Sequence, residues 1–212
     1  MNKNFIKHVL NLEPAFSVYD HYFFEQPVEH IISGFLCEKG SGVGYIWLFV
    51  YPLYDISNQL HLGYGYRLDY PNGCIDLKDM GMKDLALEFI GRIEPYRNKA
   101  RNLRIVDNFI KYLEESDSCL QNPLLRVSYA QSLILVGKQE EAMNELNYLS
   151  DIPNMEVYKE YYDSVIKLKE KLLLGLGVAQ EYVSERASLR REMIVRGSKC
   201  RIKGIKGSEY LK

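Results

Sequence analysis

Cysteine is scarce and scattered in this chain. Cys37, Cys74, Cys119 and Cys200 form no C-x-x-C pair and have no histidine at ligand spacing. Four thiols over 212 residues make a disulfide framework a poor reading, and they are read as free thiols in a reducing compartment. Long apolar runs are missing too. The most apolar run, Tyr45 to Tyr54, falls short of the roughly 20 residues needed to cross a bilayer, and reads as a buried strand. The opening Met-Asn-Lys-Asn-Phe-Ile-Lys-His has no apolar stretch of the signal-peptide kind. The expectation is a cytoplasmic protein with no membrane partner.

The signatures of common chemistry are absent as well. There is no G-x-x-x-x-G-K-[ST], no G-x-S-x-G and no H-E-x-x-H. Gly40-Ser-Gly-Val-Gly44 has the glycines of a phosphate loop, but no lysine follows and the next element reads as a strand. It is a hairpin turn. His21 and His30, with Asp20, Glu25 and Glu29 nearby, are the residue types that gather metals, but their spacing matches no ligand pattern. No metal and no cofactor are expected.

Charge of one sign is lacking overall: the net charge is −1. That total conceals a gradient. Residues 1–95 hold seven Lys/Arg against twelve Asp/Glu, while residues 190–212 hold eight against two. The chain as a whole does not have a nucleic-acid-binding composition, although that of its C-terminal end alone could be one.

What the chain has in quantity is aromatic: 17 Tyr and 8 Phe. His30 to Cys37 is apolar and β-branched, and Tyr45 to Tyr51 is a continuous apolar run. Leu60 to Leu68 alternates with period two. Glu38–Gly44 and Asp55–Asn58 supply turns, so these three strands form an antiparallel meander, with a fourth strand near Gly73 to Leu77. The middle strand puts Tyr45, Trp47, Phe49 and Tyr51 on one face and Ile46, Leu48 and Val50 on the other. Being apolar on both, it must be covered twice. The aromatics are not a base-stacking platform, because residues 30–66 contain one Lys or Arg, Lys39. A short helix is expected over 3–11, and Val18 to Phe24 reads as either strand or loop.

From residue 80 the period changes to that of a helix, with Met82, Leu85, Phe89 and Ile93 on one face, followed by Leu103, Val106, Phe109 and Leu113. Asn122-Pro123 starts a helix over 124–136, Gly137 ends it, and 140–149 is its partner. Helices over 155–174 and 178–195 meet at Gly175-Leu-Gly177. The fold class expected is α+β: a small antiparallel meander covered by helices, then stacked α-helical hairpins. The boundaries are 1–95 for the sheet region, 96–196 for the hairpins packed on it, and 197–212 for a basic tail expected to fray.

Within the hairpin at 123–154, Ala130, Leu133, Gly137, Ala142 and Leu146 fall at spacings that let two helices approach closely. Here the sequence resembles a tetratricopeptide repeat, with departures at Arg126, Leu149 and Pro153 and no second copy 34 residues away. The resemblance implies helical architecture, and stacked hairpins usually serve binding.

Two further sets are candidates. On a strand from Leu60 to Leu68, His61, Gly63, Gly65 and Arg67 would share one face. The glycines would leave an open slot between an acid/base histidine and an anion-holding arginine, or else admit a neighbouring element closely. Arg190, Arg191, Arg196, Lys199, Arg201, Lys203 and Lys206 form a basic end that suits nucleic acid or an acidic protein surface. It also suits a solvated helix terminus, or a fold-back onto the acidic N-terminal part. The leading functional expectation is a non-enzymatic interaction protein, of regulatory or toxin-neutralising kind, with an unidentified protein partner. The alternatives are a small enzyme or anion binder around His61 and Arg67, and nucleic-acid binding through the C-terminal arm.

Overall fold

The computed structural model describes residues 3–57, 60–153 and 158–202. Helix α1 (Lys3–Leu12) leads into strands β1 (Phe16–Tyr19), β2 (Tyr22–Glu25), β3 (Ile31–Lys39), β4 (Val43–Pro52), β5 (Tyr66–Arg67) and β6 (Cys74–Asp76). All pairings are antiparallel, in the order β1-β2-β3-β4-β5, and β6 shares the outer edge of β4 with β5. The architecture is α+β, as the sequence implies. The segment left open as strand or loop is a hairpin, β1–β2, turning at Asp20 with φ +55°.

The strand expected over Leu60 to Leu68 is a correction. Only Tyr66 and Arg67 join the ladder, opposite Leu48 and Trp47. The alternation there does not come from a pleat. Tyr64 turns fully into the core, Gly65 N–H closes a turn onto Leu62 O, and the Tyr112 hydroxyl holds Tyr64 O at 2.8 Å. A β-carbon on Gly65 would lie 2.7 Å from Leu48 O, so the segment hugs the β4 backbone.

Register shows which residues share a face. Phe23, Phe35 and Leu48 lie on one side of the sheet with Glu25 and Ser33; Phe24, Gly34, Phe49 and Tyr51 lie on the other. The first side is covered by α1, by α2 (Met82–Ile93) and by α3 (Arg97–Asn102). Phe5 and Phe89 meet Phe23 edge-on or tilted, with ring centroids 6.0 and 5.5 Å away. Glu25, nearly buried, accepts from Arg97 (2.7 Å) and Arg101 (2.6 Å), and the Ser33 hydroxyl donates to Ala100 O. These bonds seat α3.

The second side is covered by the helical half. Helix α4 (Val106–Glu114) sends Phe109 against Tyr64, and the short α5 (Asp117–Gln121) leads to α6 (Pro123–Leu135). The Asn122 side chain caps α6 by accepting from Leu124 N–H at 3.0 Å. From Val127 to Ile134 every residue of α6 is buried, so this helix is enclosed on all sides. Gly137, at φ +83°, turns the chain into α7 (Gln139–Ser150), the antiparallel partner of α6. Next come α8 (Lys159–Leu174) and, after Gly175 at φ +137°, α9 (Leu176–Ile202). Helix α9 runs back along α8 and α6 to reach the edge strand β1, where Gly197 sits against the Tyr19 ring. Central strand β4 is thus covered on both sides, as its composition requires. The start expected for the helix at 155 lies outside the described residues. Among the described residues, no helix is long and apolar enough to cross a membrane.

Candidate functional site

The most concentrated polar chemistry lies where the loop after β4 meets α6 and α9. Asp55 is 1% exposed. Its carboxylate accepts hydrogen bonds from the Tyr64 hydroxyl (2.5 Å), the Ser128 hydroxyl (2.9 Å) and Ser57 N–H (2.7 Å), and His61 Nε2 faces it at 3.7 Å. Burial alone would push this carboxyl up. The neighbouring His61 imidazole and the Tyr64 hydrogen bond outweigh that, and the group is held below the ordinary carboxylate range. Around it, Arg190 of α9 donates to Asp55 O (2.8 Å) and to the Tyr51 hydroxyl (2.5 Å), and Arg186 donates to Ile56 O (3.1 Å). The Tyr51 hydroxyl itself donates to Ser57 O at 2.9 Å. On the α6 side, Gln131 donates to Tyr54 O and the Tyr54 hydroxyl meets Ser132 Oγ at 2.7 Å. The loop 53–57 is therefore bolted to two helices by side chains, and burial pushes the hydroxyls of Tyr51, Tyr54 and Tyr64 up, so they remain protonated donors.

His61 belongs to this cluster. Its Nδ1 accepts Gly63 N–H at 3.0 Å while Nε2 is turned towards Asp55, so both ring nitrogens face partners within the chain. In a general acid/base pair the carboxylate orients one nitrogen and leaves the other to the substrate. Here the second nitrogen is occupied. The ring packs edge-on against Tyr51 (5.2 Å) and stacks on Tyr64 (5.5 Å). Arg67 lies elsewhere, opposite Trp47 and over the Tyr45 ring at 4.6 Å. Trp47 and Tyr51 are four residues apart on β4, about 13 Å of strand. The geometry does not bring His61 and Arg67 together. Gly63 and Gly65 serve close approach, since a β-carbon would meet His61 and Leu125 at the first and Leu48 O at the second.

The basic residues of the C-terminal end divide into two groups. Arg190 is used internally, as above. Arg191 donates to Ser188 at 3.2 Å, and Arg196, 80% exposed, pairs with Glu192 along the helix at 3.1 Å. Lys203 and Lys206 lie outside the described residues, as do the side chains of Lys199 and Arg201. The acidic and histidine residues near the N-terminus disperse: His21 pairs with Asp20, Glu25 faces the α3 arginines, and His30 Nε2 meets Ser184 Oγ at 3.4 Å. Among the described residues, no three His, Cys, Asp or Glu side chains are placed to hold a metal.

A surface feature that the sequence reading missed stands at the turn end of the sheet. Tyr70, between β5 and β6, is 86% exposed. It borders a cleft of about 470 Å³ whose other walls include Gly42, Pro71, Cys74, Asp76 and Arg92. Arg92 is held there by Glu88 (2.7 Å) and by Pro71 O. Between residues 69 and 84 the exposed charges are Asp69, Asp76, Asp79 and Asp84 against Lys78 and Lys83. No sequence pattern marks this place, because one exposed tyrosine reads the same as sixteen others. Asp55 had a weak signal. Ser128, Gln131 and Ser132 recur at three- and four-residue spacing on an otherwise apolar helix, as buried polar partners of another segment would.

No protein-family model, no curated protein and no solved structure matches this chain.

Proposed function

We propose that this chain is a non-enzymatic interaction protein that binds a basic surface of a partner protein through the turn end of its sheet. The observation that carries the reading is Tyr70, a large aromatic 86% in solvent at the rim of a cleft and flanked by exposed aspartates. Tyrosine is enriched among the residues that dominate binding energy, because it buries much area at small entropic cost. Asp69 beside it in the chain and Asp76 on the cleft wall favour a cationic partner and speed encounter with it. The saturated surroundings of His61 and Asp55 support a structural role for that pair over a catalytic one.

The test is capture of partners from native lysate by the wild type and by Tyr70→Ala, each at low and at moderate salt. A partner held by the wild type and released about tenfold more readily by the variant supports the reading, that factor being the loss of a moderate hot spot. Equal retention by both chains sinks the Tyr70 surface, and a wild type that captures nothing at either salt counts against the binding function itself.

A further inference from the structure

We infer that the outer face of α9 is covered by a second copy of this chain, in an antiparallel, two-fold symmetric contact. Helix α9 buries Ala179, Val183, Ala187 and Ile194 against its own fold. Its exposed positions are not simply polar: they include Val178, Glu181, Glu185, Leu189, Glu192, Met193 and Arg196. At 100° per residue these fall within an arc of about 120°, one continuous stripe about 27 Å long. Leu189 is 68% exposed and Met193 46%, so a helix already anchored on one side offers apolar side chains on the other.

The occupant follows from the order of charges. Among the described residues Glu181 and Glu185, which precede Leu189, have no ion pair, and Arg196, which follows Met193, has only the exposed pair with Glu192. Such a surface pair is weak and exchanges easily. From Glu181 to Arg196 the stripe is therefore acidic at one end and basic at the other, with Leu189 and Met193 on either side of Glu192 between them. Reversed on itself, it is its own complement. An antiparallel register that places Leu189 against Met193 of the second copy places the reciprocal pair together by symmetry. The same register brings Glu185 beside Arg196 of the second copy, and again reciprocally. A parallel arrangement would instead align like with like. The contact is narrow beside the about 800 Å² per partner of a standard interface, so the dimer is weak and reversible. The stripe is on a different element from Tyr70 and leaves that surface free.

Sedimentation of the full chain over a concentration series tests this. The wild type is expected to shift from monomer towards dimer as concentration rises, and Leu189→Lys to weaken association about tenfold or more, as for one central apolar contact. Glu185→Arg and Arg196→Glu should each weaken it, and the two together should restore it, because the cross-pairs re-form with signs exchanged. All three positions are exposed, so folding is not at issue. A wild type that stays monomeric throughout overturns the proposal. So does a Leu189→Lys chain that dimerises like the wild type, or a double exchange no tighter than its single components.

Discussion

At Asp55 a buried carboxylate is stabilised by oriented donors, and the nearby Arg190 guanidinium bonds to the backbone oxygen of the same residue. Removing one donor from such a site is costly, because the acceptor has no water to replace it. Tyr64→Phe keeps the ring that packs on Phe109 and His61 but withdraws the hydroxyl. The expected result is a loss of about 1–3 kcal/mol in equilibrium urea unfolding. An unchanged midpoint would mean that water or rearranged neighbours satisfy Asp55. No single-residue pattern in the sequence announces this role. Asp55 looks like a turn residue and Tyr64 like one member of an alternating strand. Their pairing depends on α6, which supplies Ser128 from 73 positions away.

Among elements, those with internal periodicity were legible from the chain. Helix α2 buries Leu85, Phe89 and Ile93 at helical spacing, and β4 is apolar on both faces because both are covered. Where burial is complete, periodicity vanishes. Every residue of β2, Tyr22–Glu25, is buried, so nothing in its pattern separated strand from loop. Leu60 to Leu68 erred the other way, alternating without being a strand. Glycines mark where elements touch by backbone alone. At Gly34 of β3 the approach is far closer than a side chain allows, since a β-carbon there would fall within the Phe23 carbonyl of β2. Gly34→Ala must therefore part β2 from β3. A loss of about 3 kcal/mol or more, or failure to fold, is expected in thermal melts, and a near-neutral result would show that β2 can slide outward.

The charge gradient along the chain is partly consumed inside the whole molecule. Arg186 and Arg190 turn their cations onto the loop after β4, and Arg97 and Arg101 enclose Glu25, so much of what looks like surface charge fastens layers together. The candidate surface at Tyr70 was not legible for a related reason: exposure is decided by what the rest of the fold leaves uncovered. Internal charge also shapes acid stability. The Arg101 hydrogen bonds, opposed by burial and helped by Arg97, lower the Glu25 carboxyl from 4.5 to about 2. A depressed carboxyl stabilises the fold above its unfolded value and loses that contribution as pH falls from about 4.5 towards 2. Wild type should thus lose stability over this window by about 2 kcal/mol more than Glu25→Gln, after allowance for solvent screening. Parallel acid profiles for the two would refute a role for the Glu25 clamp.

The covering of one sheet face by α9 also sets an order in time. Synthesis delivers the strands well before α9, and Arg190 must reach Tyr51 across 139 positions and Ser184 must reach His30 across 154. Until α9 has emerged, the sheet waits with Phe49 and Tyr51 short of their cover and β1 as a bare edge. Folding of the sheet's second side therefore completes only once α9 is made, and a ribosome that stalls short of residue 176 leaves behind a sticky, half-roofed intermediate.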